Sequence, residues 1–406
     1  VTSLFELEKT EDVTQLTSLL RDSSSDAVRR RAAEILGEVD ADGEPVVDPL
    51  VSAAQQDDSD DVRAAAIDAL DQRHAVEELV AALTGEEVPT DGAEWARAEA
   101  LVESLSAERP ELRMASANAL GRIGNKAATK ALVGQLGDPD QRVRARVARA
   151  LGRVGDPRAV SALREQLDDA SVEVRREAAD SLGRIGGEEA LTALLGLLDD
   201  DSGTVRRIAA NSLGNFGSAK PLDPLIALLD DDDEAVRRAA VFSLIEILSN
   251  APGQQSHQLR ETMVEKLSAT DHRSVVDSLV DILEQGTQSH QRRNAAWLLG
   301  RVTGESDRER AIEALASLLD DDDGMTAQFA ATSVANVGGE AAEDALLDVL
   351  DDPEASSDAR AKAAFTLGKV GGERARDRLD SLIDRTDDED VRKRAFSALS
   401  KLGGRR

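Results

Sequence analysis

The sequence predicts an all-α fold, an α-α superhelix of about 11–13 helix pairs stacked as a one-dimensional solenoid. Three observations predict it. The pairs Leu112-Arg113, Val143-Arg144, Val174-Arg175, Val205-Arg206 and Val236-Arg237 recur at a fixed step of 31 residues. Eight positions beyond the first member of each pair stands a leucine (Leu120, Leu151, Leu182, Leu213, Leu244), followed in the first four copies by glycine. Aromatic residues make up only 2% of the chain, so its apolar content is mostly Ala, Val and Leu, which suits closely packed helices.

From the N-terminus, residues 1–24 read as a cap, after which the pair recurs with looser spacing at Val28-Arg29 and Val62-Arg63. Beyond the regular block come Gln291-Arg292, Thr326-Ala327, Ala359-Arg360 and Val391-Arg392, making eleven copies. Each begins a lead helix whose apolar positions, such as Val143, Val147, Ala148, Leu151 and Val154, fall on one face at about 100° per residue. A shorter return helix follows. Asp156 is placed to cap it, Pro157 sits in its first turn, and Val160, Leu163 and Leu167 form its stripe. Gly152 and Gly155 are expected to release the lead helix.

Two stretches, 71–110 and 248–288, break the rhythm. The first holds helices near Ala75–Leu83 and Trp95–Leu105, and the second near Leu259–Leu267 and Val275–Leu283. Each is either an added helix or a degenerate repeat. Residues 403–406 read as a frayed end, and 1–406 as a single solenoid domain.

Composition narrows the chemistry. There is no cysteine, which excludes disulfides and thiolate sites within the chain. The start lacks a basic or apolar leader, and no apolar run approaches about 18 residues, so a soluble, cytoplasmic chain is expected, with a monomer favoured. Net charge is −30, and only nine of the 49 basic residues are Lys. That balance resembles the proteome of a salt-in halophile, where charge serves solubility and says little about partners.

The string from Asp140 to Gly155, D-x-x-V-R-x-x-V-A-x-x-L-G-x-V-G, is similar to HEAT repeats of the phycobilisome-lyase-like class. The resemblance spans nearly the whole chain and implies a HEAT/armadillo-like, right-handed solenoid with the lead helices on its inner, concave layer. It further implies that Arg113, Arg144, Arg175, Arg206 and Arg237 pair with turn aspartates in a ladder, interrupted where Ala327 replaces Arg. The class includes haloarchaeal members associated with taxis signalling, which implies an adaptor between a signalling relay and its motor. It also includes bilin lyases, a further alternative, although no candidate site for that chemistry stands out.

Helical angles place four positions of each lead helix opposite its stripe, at +2, +3, +6 and +10 from the first residue of the pair. Over eleven copies these carry 17 basic and six acidic residues, a net positive stripe on an acidic chain. Arg146, Arg149 and Arg153, with Arg142, form its densest column, and Arg184, Arg293 and Arg301 extend it. Either an anion faces this column or carboxylates such as Glu173, Glu177 and Asp180 neutralise it. Of the eight Phe and Trp residues, Phe242, Trp297, Phe329 and Phe365 lie at these outward positions in consecutive copies. They are either a hot spot for a protein partner or rings tucked between neighbouring helices.

No His-Glu pair, complete calcium loop or phosphate-binding glycine loop occurs, so no catalytic residue, metal or cofactor is expected, and the Asp runs at 199–201, 230–233 and 320–323 read as helix caps. The reading is a non-catalytic protein-interaction scaffold whose partner offers an acidic surface with an apolar anchor. A nucleic-acid binder using the Arg column is the alternative, opposed by the overall charge.

Overall fold

The computed structural model describes residues 7, 9–10, 12–39, 44–85, 94–251, 256–268 and 273–403. The turn-rich stretch 86–92, residues 252–255, most of the start of the N-terminal cap and the last three residues lie outside the described residues. The architecture is an all-α, HEAT/armadillo-like solenoid, grouped into two compact units, Val1–Ser212 and Leu213–Arg406. No described helix is long and apolar enough to cross a membrane.

Each regular repeat follows from its sequence. The lead helix Gln141–Val154 starts where the Asp140 carboxylate accepts the amide of Arg142 at 2.8 Å and ends at Gly155, whose φ of 66° is the left-handed C-cap. Val143, Val147, Ala148 and Leu151 are fully buried where this helix packs on the neighbouring lead helices and on the preceding return helix Thr129–Gly134; Leu163 of the following return helix, Val160–Glu165, is also fully buried. The return helix is flanked by single 3-10 turns, because Asp156 and Pro157 begin it and the next acidic turn stops it.

Gly152 corrects one expectation. It does not release the helix, which continues to Val154; it lies inside, facing the next lead helix, Val172–Ile185. A Cβ there would stand 2.8 Å from Ser181 Cα, so glycine is required for the backbones to approach. The Ser181 hydroxyl uses that closeness to donate to the Ala148 carbonyl at 2.8 Å.

The Arg-Asp ladder is present. Arg113, Arg144 and Arg175 each make two hydrogen bonds to an aspartate 25 residues on: Asp138 (2.7 and 2.9 Å), Asp169 (2.7 and 2.9 Å) and Asp200 (2.9 and 3.1 Å). The same arginines donate to a carbonyl six residues back, so Asp138 holds Arg113 by its side chain and Arg144 by its backbone. Arg206 and Arg237 donate to the carbonyls of Asp200 and Asp231 at 2.8 and 2.6 Å. At the ninth copy, where the interruption was expected, Ala327 is buried and its side chain offers no donor. The Asp runs do cap: Asp233 accepts the Ala235 amide and Asp323 that of Thr326.

Each irregular stretch contains two helices where a regular repeat has one. Val76–Thr84 and Glu94–Ser104 stand between lead helices Asp60–Gln72 and Pro110–Ile123. Ser256–Ser268 and Arg273–Gln285 stand between Glu234–Asn250 and Ser289–Val302.

Candidate functional site

In the N-terminal unit the lead helices line a groove of about 790 Å³ whose walls carry eight arginines and seven carboxylates. The Arg column lies in it, and each member has a carboxylate. Arg146 is 7% exposed and donates to Asp68 at 2.5 and 3.2 Å and to the Ala64 carbonyl at 3.3 Å. Arg149 grips Glu177 at 2.8 and 3.1 Å and reaches Asp68 at 3.3 Å. Arg153 meets Asp71, Arg142 meets Asp140 at 2.6 Å, and the exposed Arg184 pairs with Asp180 at 2.7 Å.

Asp68 and Asp71 belong to the second lead helix, so these pairs span the third, Pro110–Ile123. Its outward residues Met114, Ala115 and Asn118 were expected to line the groove; instead they are buried. Burial works against ionisation of Asp68, but the charges of Arg146 and Arg149 and the Asn118 amide outweigh it and hold the carboxyl below the ordinary range. The extra helix Val76–Thr84 joins in through Glu77, which pairs with Arg122. Sequence reasoning anticipated Glu177 as a partner and missed Asp68, Asp71 and Glu77, because pairing across an intervening repeat leaves no periodic signal.

The C-terminal unit is arranged differently. Trp297, on the lead helix Ser289–Val302, has two guanidiniums over its ring: the Arg260 carbon is 4.9 Å from the ring centroid and that of Arg301 is 4.3 Å. Arg301 also donates to the Trp297 carbonyl at 2.9 Å, and Arg260 to the Asn294 side chain at 3.2 Å. Neither is ion-paired among the described residues. Burial pulls the pKa of Arg260 below its ordinary value, and burial together with the charge of Arg260 does the same to Arg301. Both stay charged, so the ring is in contact with two cations that lack a counter-charge among the described residues. Arg260 comes from the inserted helix Ser256–Ser268 and was not anticipated, since that helix carries no repeat signature.

Around this clamp Phe242 is 36% exposed, and Trp297, Phe329 and Phe365 are half-buried. Arg293 donates to the Ser289 carbonyl at 3.3 Å and lies 3.4 Å from Asp323. Phe365 is surrounded by Lys369, Arg394 and Lys401 at 5.1, 5.4 and 4.4 Å from its centroid. Among the described residues no group of three or more His, Cys, Asp or Glu is placed to hold a metal ion.

Comparison with known proteins agrees with this architecture. The HEAT-repeat family model matches residues 12–97, 98–172, 160–245 and 312–400, and that of the PBS lyase HEAT-like repeat matches 291–321. A HEAT repeat-containing taxis protein of Halobacterium salinarum is 56% identical over 405 residues, 99% of either chain. Among solved structures, an engineered protein is 23% identical with a TM-score of 0.43, covering 97% of this chain and 99% of its own. The CpcE–CpcF complex of a phycocyanin lyase from Nostoc is 21% identical with a TM-score of 0.37, covering 78% of this chain and 98% of its own. On the breadth of the family match and the identity to the haloarchaeal relative, the chain belongs to the HEAT-repeat family.

Proposed function

We propose that this chain is a non-catalytic interaction scaffold that binds a protein partner through the lead-helix face of its C-terminal unit. The observation that carries the reading is Trp297 in contact with Arg260 and Arg301, two partly buried cations with no carboxylate partner among the described residues, in a chain of net charge −30. An acidic side chain from a partner would relieve their repulsion. Phe242, Phe329 and Phe365 on neighbouring lead helices receive the partner's apolar anchor, since large rings bury area at low entropy cost. Arg293 and Arg301 complete the surface of this unit, and the Arg-rich groove of the N-terminal unit, with Arg146, Arg149, Arg153 and Arg184, offers a separate contact of its own. Because that column is neutralised by Asp68, Asp71, Glu177 and Asp180, it offers little to a nucleic-acid backbone. The identity to a taxis protein supports a place in a taxis-related pathway, as an adaptor.

The test is affinity co-purification from the source cells at molar KCl, comparing wild type with a Phe242→Ala, Trp297→Ala, Phe365→Ala variant of unchanged helicity. A protein retained by wild type and lost from the variant is expected. Equal retention by both would overturn the assignment of the site.

A further inference from the structure

Arginine dominates the basic residues of this chain, and among the described residues most carboxylate ion pairs are made by arginine. The lysines are distributed unevenly: of nine, four lie on the last two lead helices, Ser357–Val370 and Glu389–Lys401. Lys362 and Lys393 have local acidic partners, Asp358 and Glu389. Among the described residues Lys369 and Lys401 have none, and neither does Arg394; all three place their charges over one ring, that of Phe365.

Three like charges placed 4.4–5.4 Å from one ring centroid repel one another, and a ring quadrupole answers each only weakly. One carboxylate brings a single negative charge and two coplanar oxygens, which a planar guanidinium fork matches best. A lysine ammonium is a compact point charge with freely turning donors, suited to an anion without a plane. A phosphate monoester carries about −1.5 to −2 charges on three terminal oxygens, one for each cation here.

We infer that Lys369, Arg394 and Lys401, gathered over Phe365, form a binding site for a tetrahedral phosphoryl group. The group comes either from a phosphorylated partner side chain or from a free phosphate compound; the chemistry of recognition is the same. The inference extends the scaffold reading without depending on the Trp297 clamp, because phosphate binding is measured with no partner present.

The test is calorimetric titration of the full chain at molar KCl with inorganic phosphate, a phosphoserine peptide, acetate and a glutamate-rich peptide. Wild type is expected to bind the two phosphoryl ligands saturably and acetate not at all. The Lys369→Gln, Lys401→Gln variant is expected to weaken that binding at least tenfold while keeping wild-type helicity. Tighter binding of the phosphopeptide than of free phosphate points to a protein-borne group, and the reverse to a small molecule. If phosphate fails to bind wild type, if the variant binds it equally, or if the glutamate peptide binds as tightly, the site is not a phosphoryl site. Loss of partner retention in Trp297→Ala alone, with phosphate binding intact, would keep the two readings separate.

Discussion

Arg146 on the fourth lead helix donates two hydrogen bonds to Asp68 on the second, 78 residues away in sequence, across a third helix that both cover. Arg149 shares the same carboxylate, and Arg153 and Arg122 share Asp71. Together they clasp the N-terminal unit where the extra helix interrupts the regular stacking.

Removing one side of that clasp leaves a buried guanidinium without a counter-charge. Asp68→Ala is expected to cost about 3 kcal/mol, the scale for breaking one partner of a buried pair. Replacing both, as Asp68→Leu with Arg146→Met, is expected to recover most of it. Denaturant unfolding at fixed molar KCl measures the difference; a double variant as unstable as the single one would contradict this account.

Gly152→Ala is expected to destabilise by about 1–3 kcal/mol through overpacking against Ser181. Gly134→Ala is the control, because nothing lies within 4 Å of its added methyl. Thermal midpoints of the two variants should therefore move in clearly different amounts.

Acid should unfold the protein before it affects neutral-pH behaviour. Burial favours the neutral forms of Asp57, Asp140 and Asp169, but hydrogen bonds from Arg29, Arg142 and Arg144 outweigh it, and these carboxyls, like Asp68, titrate below their ordinary value. The unfolded chain, with aspartates near a pKa of about 3.9, then binds more protons than the folded one. Stability is fully present above about pH 5 and is lost as pH falls through the depressed folded values. A thermal midpoint that stays flat down to pH 3 would remove this explanation of the ladder.

Salt should act in the opposite direction to its usual effect on ion pairs. The ladder contacts are short and mostly shielded from solvent, whereas the excess charge of −30 repels over long distances. Raising salt from 0.1 to 1 M shortens the screening length from about 10 to about 3 Å, which weakens the repulsion far more than the contacts. The midpoint of unfolding is expected to rise with KCl throughout that range.

At the clamp, Arg260→Gln and Arg301→Gln are each expected to reduce partner affinity about tenfold, and Trp297→Phe less than Trp297→Ala, since a ring keeps its attraction for cations. Competitive retention of the partner captured by wild type gives the ranking.

The sequence by itself determined the repeat and the helix pairs, and its resemblance to HEAT repeats implied the ladder. The 31-residue step, the stripe through Val143, Val147, Ala148, Leu151 and Val154, and the Asp caps are local signals, each carried by a few neighbouring residues. Helical angles also placed Trp297 and Phe365 on one face. Only the tertiary structure decided which charges meet. Asp68 reaches Arg146 because stacking brings alternate repeats together, and Arg260 reaches Trp297 because an inserted helix without the repeat signature lies beside that lead helix. Gly152 shows the same division: its place beside Leu151 is periodic, but the need for glycine arises from the backbone of Ser181, a repeat away. Periodicity records the contacts that every unit makes alike, and contacts made once leave no repeat to read.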